Sequence, residues 1–151
     1  MNPEGANRGY LATIFGCYCP RCRTGKLFRH RTSLRVGRNM EMYEACPVCG
    51  QPTEIEIGFY YGTGYVSYLI AIALSVVSFF FWWLLVGFSY EDRRFFWWIG
   101  CNSVGLLVLQ PWLMRFSRAF WISCFVSYDP EWRIHPPDPG ERHNPDQANN
   151  W

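Results

Sequence analysis

Two pairs of cysteines stand at a spacing that suits a metal ion. Cys19 and Cys22 enclose Pro-Arg, Cys46 and Cys49 enclose Pro-Val, and 23 residues separate the two pairs. Two residues between cysteines let both sulfur atoms reach one ion, while backbone N–H groups of the turn point at the thiolates. Two such knuckles complete a tetrahedral set of four sulfur ligands. The sequence therefore predicts a metal site at these four cysteines.

The ligand set favours zinc in a structural role. A tetrahedral four-thiolate site is closed and keeps no open position for water, so it stabilises a fold rather than activating a substrate. Iron is the alternative, because a rubredoxin-type centre uses the same C-x-x-C and C-P-x-C-G patterns. We expect Zn as the cofactor, whereas Fe would make the site a one-electron redox module.

The three remaining cysteines fit a metal site less well. The total of seven is odd, and two C-x-x-C pairs suit metal binding in a reducing compartment better than a disulfide framework. Cys17 precedes Cys19 by two residues and competes as a ligand, although a spare thiol is the simpler interpretation. Cys101 and Cys124 have no Cys or His at metal spacing, so we expect them to be small packing residues.

The segment that carries the cysteines, residues 17–57, is predicted to be a small β zinc ribbon. Short β-like runs at 26–28, 41–43 and 53–57 would make a sheet of three strands at most. About 40 residues cannot bury a core large enough to fold alone, so a metal staple is expected. Residues 1–16 show no clear periodicity and are predicted to be a flexible lead-in.

Residues 66–88 are predicted to be the first transmembrane helix, because they contain no charged residue and no His, Asn, Gln or Pro. A helix of about 23 residues is roughly 35 Å long and crosses a hydrocarbon core of about 30 Å with some tilt. The buried core helix of a soluble protein is the alternative, but such a helix is seldom apolar on every face. Residues 58–65, rich in glycine and aromatic side chains, are predicted to be an interfacial turn.

A second transmembrane helix is predicted over residues 95–114, after a short polar loop at 89–94. The short loop makes the two helices an antiparallel hairpin. Pro111 is expected to kink the second helix or to mark its approach to the membrane interface.

Two further segments are predicted beyond the hairpin. Residues 115–127 are expected to form an interfacial amphipathic helix, because Arg115 and Arg118 lie one turn apart beside an apolar stripe. Residues 128–151 contain five prolines and few aliphatic side chains. We therefore expect a proline-rich extended tail.

Small side chains recur every three or four residues along the first helix. They are Gly64, Ser67, Ala71, Ser75 and Ser78. Such stripes let helix backbones approach closely, and polar residues such as Asn102 and Ser103 of the second helix add hydrogen bonds. The partner of the stripe is either the chain's own second helix or a helix of another protein.

The distribution of basic residues predicts the orientation of the hairpin. Its loop carries Arg93 and Arg94, whereas the opposite side carries three nearby arginines and the eight Lys/Arg of residues 1–65. By the positive-inside rule both termini are cytoplasmic, and reduced cysteines favour the same side. The first residues show no signal-peptide pattern.

The sequence shows no pattern typical of an enzyme. The predicted spans hold no ionisable side chain other than Tyr68 and Cys101, which argues against proton or ion transport. No Ser/His/acid grouping, pair of carboxylates or phosphate-binding glycine loop stands out, so we expect no catalysis and no small-molecule substrate. The basic stretch between the knuckles has few aromatic residues and favours anionic lipid or an acidic protein surface over nucleic acid.

The chain resembles a family catalogued as domain of unknown function 983, a short zinc ribbon followed by two membrane helices. The resemblance covers residues 17–133 and rests on four runs. They are CPRCRTGKLF at 19–28, CPVCGQ at 46–51, EIGFYYGTGYVSY at 56–68 and FSRAFWISCFVSYDPEW at 116–132. It implies a bacterial cytoplasmic (inner) membrane protein with a cytoplasmic metal ribbon, whose ligands would be the four cysteines of the two knuckles.

The genes of that family often lie among those for haem-copper cytochrome oxidase and its assembly. The resemblance therefore implies a non-catalytic accessory subunit or assembly factor of a respiratory membrane complex, with cytochrome c oxidase or its supercomplex as the first candidate. Its partners would be membrane lipid and the integral subunits of that complex. Two alternatives stay open: a rubredoxin-like iron redox module, and a free-standing membrane regulator or chaperone.

The expected architecture is thus an integral membrane α-helical hairpin of two transmembrane helices. A small β zinc ribbon precedes the hairpin, and an extended tail follows it.

Overall fold

The computed structural model describes residues 8–31, 35–56, 58–87 and 93–137, and this part of the chain is mostly helical. Its elements, in chain order, are α1 (Tyr10–Phe15), α2 (Val36–Met40), a 3₁₀ turn (Phe59–Gly62), α3 (Thr63–Val86) and α4 (Arg94–Phe125). The two long helices pack on each other, and α1, α2 and the 3₁₀ turn each pack on α4.

Within the described residues, α3 is the one helix long and apolar enough to cross a membrane. With the preceding 3₁₀ turn it runs over Phe59–Val86 at a mean hydropathy of 2.5, and none of its most apolar window is buried. Leu69 and Leu85, for example, are 65% and 83% exposed. This exposure is unlike that of the core helix of a soluble protein. The candidate spanning helix predicted from residue 66 onward is therefore present, with Phe88 outside the described residues.

The start of α3 differs from the prediction. The helix begins at Thr63, so it includes the last three residues of the predicted interfacial turn 58–65. The hydroxyl of Thr63 donates to the carbonyl of Tyr60 at 2.7 Å and joins the 3₁₀ turn to the helix. The chain can turn sharply before this point because Gly58 adopts a φ of 78°.

α3 and α4 pack antiparallel through a few polar contacts. Ser67 donates to the hydroxyl of Ser117 at 2.8 Å near one end of the pair. Further along, Asn102 accepts from the Ser78 hydroxyl at 2.9 Å and donates to the Ser75 hydroxyl at 3.1 Å. Increasing residue numbers on α3 meet decreasing numbers on α4, which defines a helical hairpin.

α4 is one continuous helix of 32 residues, where the sequence predicted a span at 95–114 and a separate surface helix at 115–127. Pro111 lies inside it and removes one backbone N–H donor, but the helix continues. Packing at the proline and beyond it explains this continuity. The amide of the buried Asn39 donates to the Pro111 carbonyl at 2.7 Å, and Leu113 and Ile122 are almost completely buried beyond it.

The cysteine-bearing segment contains no regular strand in the residues that the structure describes, which corrects the predicted three-stranded β ribbon. Only isolated antiparallel bridges form, and they join Tyr18 to Lys26, Phe28 to Met42 and Ala45 to Pro52. The alternating run at 53–56 does not pair as a strand. Instead the hydroxyl of Thr53 donates to the carbonyls of Tyr43 and Glu44. Side-chain bonds and tight turns thus replace the expected sheet.

Both predicted flexible ends contain ordered contacts. In the lead-in, α1 packs on α4, with the Phe15 ring centroid 5.0 Å from that of Phe116. In the tail, residues 130–134 form turns, and the backbone N–H of Asp129 donates to the Arg21 carbonyl at 3.2 Å. The remaining tail residues, 138–151, lie outside the described part, as do residues 1–7 and 88–92.

Candidate metal centre

The sulfur atoms of Cys19, Cys22, Cys46 and Cys49 form one compact group. All four lie within 4.8 Å of one another. The Cys19–Cys49 and Cys22–Cys46 sulfur pairs are each 3.7 Å apart. A tetrahedral site with metal–sulfur bonds of about 2.3 Å has sulfur–sulfur edges of about 3.8 Å. The predicted ligands therefore come together at the spacing that a tetrahedral four-thiolate metal site requires.

The two knuckles have the same backbone construction. In the first, the N–H of Arg23 donates to the Cys19 carbonyl at 2.8 Å, and in the second the N–H of Gly50 donates to the Cys46 carbonyl at 2.9 Å. Both donors have a positive φ, 54° for Arg23 and 72° for Gly50. Glycine at position 50 adopts this φ without a steric cost, whereas the equivalent strain at Arg23 has no signal in the sequence.

Backbone N–H groups point at the sulfur atoms, as the knuckle pattern predicts. The N–H of Gly25 donates to Cys22 Sγ at 3.4 Å. Backbone N–H groups of Cys49 and Gln51 likewise bond the sulfur atoms of Cys46 and Cys49. Such donors stabilise negative charge on sulfur in a site that is itself buried.

Gly25 is a site residue that the sequence analysis missed. A Cβ added at this position would overlap the sulfur of Cys46. Glycine therefore lets the chain after the first knuckle pass directly against a ligand of the second. Its position three residues after Cys22 is the only sequence signal, and one glycine at that distance is too common to identify it.

Hydrogen bonds among the four thiols move their pKa values in opposite directions. The pKa of Cys22 falls well below its ordinary value of 9.0, chiefly because Cys19 hydrogen-bonds its thiolate. Contact with Cys19 is also the main cause that lowers the pKa of Cys46 to about 7. The same group of contacts, with Cys22 first, raises the pKa of Cys19. A divalent cation bound by all four thiolates would consequently displace protons.

The end of α4 forms one wall of the cysteine cluster. Ala119 and Ile122 are 1% and 0% exposed and belong to the same buried core as the four cysteines. Leu27 and Phe28, which follow the first knuckle, complete that core. The metal centre and the helical hairpin therefore share one hydrophobic core.

The start of the tail covers the first knuckle. Arg21, which lies between Cys19 and Cys22, is 6% exposed and donates to Asp129 at 3.2 Å and to the His135 carbonyl at 2.6 Å. Arg23 stacks on the Tyr128 ring at 4.0 Å. These two basic side chains hold the tail against the ribbon.

The other cysteines lie outside the group of four. Cys17 is buried with a φ of 54°, and Cys101 and Cys124 are exposed on α4. The exposure of Cys101 and Cys124 differs from the packing role that the sequence predicted for them. Tetrahedral coordination by Cys19, Cys22, Cys46 and Cys49 leaves no need for a fifth sulfur.

Some residues of the small-residue stripe contact α4, and others are exposed. Ser67, Ser75 and Ser78 meet α4, and the Ala71 carbonyl accepts from Ser75 within α3. Gly64 is exposed, and a Cβ there would meet nothing within 4 Å. On α4, Asn102 joins the contact, whereas Ser103 is exposed.

The two arginines expected at a membrane surface both contact the cysteine-bearing segment. Arg115 is 7% exposed, stacks over Phe28 at 4.2 Å and donates to the His30 carbonyl at 2.8 Å. Arg118 donates to the Met40 carbonyl at 3.2 Å. Their segment continues α4 and packs on the cysteine-bearing segment, so it is not a separate surface helix.

No family model, curated protein or solved structure matches this chain. The resemblance to domain of unknown function 983 therefore stays a prediction.

Proposed function

We propose that the chain is a non-catalytic, membrane-anchored zinc module that docks on an integral membrane protein complex as an accessory subunit or assembly factor. The observation that carries the proposal is the shared core of the cysteine cluster and the end of α4. A closed metal site at the end of a helical hairpin stabilises one rigid surface and has no open position for a substrate.

A two-pass topology is part of the proposal. α3 is a candidate spanning helix, and α4 pairs with it antiparallel over most of its length. The first half of α4 exposes large apolar side chains, with Phe96, Leu107 and Val108 each more than 70% exposed. Lipid is the solvent that suits such a surface. The reducing cytoplasm suits free thiols, which would put both termini on the cytoplasmic side of a bacterial inner membrane.

Zinc is the proposed ion because a closed four-thiolate set serves structure. Iron is the second candidate, because a rubredoxin-type centre uses the same set of four thiolates. Visible absorption of the purified protein separates the two, because ferric tetrathiolate is red and zinc is colourless. A red protein with stoichiometric iron would replace the zinc module by a redox module.

The identity of the partner rests on the resemblance alone, which favours haem-copper cytochrome c oxidase or its supercomplex. The test is extraction of the tagged protein in mild detergent, followed by quantitation of every copurifying protein. Near one-to-one recovery of oxidase subunits would support an accessory subunit, and substoichiometric recovery of assembly intermediates would support an assembly factor. Recovery of the protein alone, or with varied clients, would favour a free regulator or chaperone.

The role of the metal site is tested by Cys46→Ser beside Cys124→Ser as the matched control. Cys46 is buried in the cluster, whereas Cys124 is an exposed thiol on the same core helix. We expect the first variant to lose both metal and copurifying partner, and the second to retain them. Normal association of a metal-free Cys46→Ser protein would contradict the proposed docking role.

A further inference from the structure

A cavity lies between α1, the chain after the first knuckle, and α4. It has a volume of about 480 Å³, and none of the four clustered cysteines lines it. Four of its lining residues are permanent cations, Lys26, Arg29, Arg31 and Arg115, and no Asp or Glu is among the lining residues. A concave site with several cations and no lining carboxylate attracts an anion.

One neighbouring carboxylate offsets part of this charge. Glu41 lies outside the lining and approaches Arg29 at 3.4 Å and His30 at 3.0 Å. Lys26 and Arg31 are exposed, and within the described residues neither of them forms a salt bridge. The cavity therefore keeps a positive charge of about three from its lining cations.

Arg115 supplies an independent sign of a ligand. Its side chain is more than nine-tenths buried and lines the cavity, yet within the described residues its Nη1 has no hydrogen-bond partner stronger than the Cys17 thiol, a weak acceptor that lines the same cavity. Its Nη2 is already bonded to the His30 carbonyl. A buried guanidinium nitrogen with no strong acceptor costs free energy, and a charged acceptor on the same face would remove that cost.

We propose that this cavity binds a phosphate oxyanion, supplied by the headgroup of an anionic phospholipid. Arginine forks and a lysine are the side chains that suit phosphate. Phe15 and Trp112 also line the cavity and stack at a centroid distance of 5.9 Å. Aromatic side chains beside cations are typical of the level of a membrane where headgroups meet acyl chains.

The depth of the cavity favours lipid over free phosphate, and this step rests on the proposed membrane anchoring. Arg115 is two residues from Ser117, which pairs with Ser67 at the beginning of the predicted span 66–88. Two residues of helix correspond to about 3 Å. The basic cavity thus lies where the apolar part of the hairpin begins, on the cytoplasmic side of the proposed topology.

The test uses the full-length protein in a neutral detergent, with binding followed by native mass spectrometry. The probes are short-chain phosphatidylglycerol, short-chain phosphatidylcholine and inorganic phosphate. The variant is Lys26→Gln with Arg31→Gln, both exposed lining cations. Its control is Arg38→Gln with Arg133→Gln, which removes the same charge outside the cavity. Arg115 is left intact because it also holds the ribbon on α4.

We expect phosphatidylglycerol to bind at least tenfold more tightly than phosphatidylcholine. The cavity variant should weaken that binding roughly thirty-fold, because each of the two removed cations contributes about a fivefold gain near anionic lipid. The control variant should leave the binding unchanged. Equal binding of both lipids, or an equal loss in the control variant, would overturn the proposal. If inorganic phosphate by itself binds as tightly as phosphatidylglycerol, the ligand is a free oxyanion and not a lipid headgroup.

A separate measurement distinguishes this proposal from the membrane anchoring on which it rests. Carbonate washing of cell membranes reports anchoring without reference to the cavity. Release of the wild-type chain by carbonate would remove the anchored zinc module and the lipid source together. Retention of the chain without selective phosphatidylglycerol binding would remove the cavity proposal alone.

Discussion

Gly25 lies in direct contact with the sulfur of Cys46, so close that a Cβ on Gly25 would overlap it. The two residues belong to opposite halves of the ligand set, because Gly25 follows the first knuckle and Cys46 begins the second. The contact links the register of one knuckle to the position of a ligand in the other. The backbone of Gly25, which carries no side chain, is therefore part of the candidate metal site.

Gly25→Ala should weaken metal binding by about 10- to 100-fold, the range typical of residues that orient metal ligands. The added methyl group must displace Cys46 or the backbone, because it would overlap the Cys46 sulfur and lie 3.2 Å from the Val48 side chain. Zinc affinity is measured by competition with a chelator of known affinity. Gly37→Ala is the control, because a Cβ at Gly37 meets nothing within 4 Å. Equal affinities in the two variants would show that the contact has no role in the site.

Removal of the metal should unfold the ribbon and leave the helical pair intact. Binding energy of a structural site is folding energy, whereas α3 and α4 hold each other through their own contacts. Hydrogen exchange with and without a strong chelator checks this prediction. Amides of residues 17–56 should lose protection, and amides in the middle of α3 should not change. Uniform loss of protection would mean that the hairpin depends on the metal as well.

Asp129→Asn should release the start of the tail from the ribbon. Burial raises the pKa of Asp129, but the N–H of Glu131, the Arg21 guanidinium and His135 outweigh it and lower that pKa below 3.8. The ionised contact therefore contributes stability above about pH 4 and loses it as the pH falls through the lowered pKa. At neutral pH the variant should show faster hydrogen exchange at residues 128–135.

Glu131→Gln is the control for this prediction, because it removes a more exposed carboxylate two residues away. Its tail should exchange as in the wild type. Similar acceleration in both variants would assign the effect to the charge of the tail rather than to the contact with Arg21.

Asn102→Ala should destabilise the helical pair by about 1 kcal/mol, a typical value for a polar contact between membrane helices. Asn102 bonds two serines of α3, and its loss leaves both hydroxyls without that partner. Dissociation of the pair is measured by steric trapping in detergent. Ser103→Ala, at the next and exposed position, should change the free energy by less than a few tenths of a kcal/mol. A comparable loss at both positions would argue against the observed pairing face.

The sequence predicted best the features that depend on local spacing or composition. The four ligands follow from the two C-x-x-C pairs, and α3 follows from a long run of uncharged apolar residues. The positive φ of Gly50 is equally local, since a knuckle needs a sharp turn after its second cysteine.

Features that depend on tertiary packing were predicted less well. Pro111 suggested a break because its missing N–H is visible in the sequence, whereas the burial of the later turns of α4 against the cysteine-bearing segment is not. Arg115 and Arg118 matched a membrane-surface pattern, but the ribbon covers that side of α4. The expected strands likewise gave way to side-chain bonds from Thr53. Each difference arises where distant segments meet.

The continuity of α4 has a mechanical consequence. A helix of 32 residues is about 48 Å long, and its two ends move together because the helix continues through Pro111 from Arg94 to Phe125. A change in tilt of about 5° would carry the far end sideways by about 4 Å over that length. Membrane helices adjust their tilt to the thickness of the surrounding bilayer. In the proposed topology, the length of the lipid acyl chains would therefore set the height and the angle at which the cysteine cluster meets its partner.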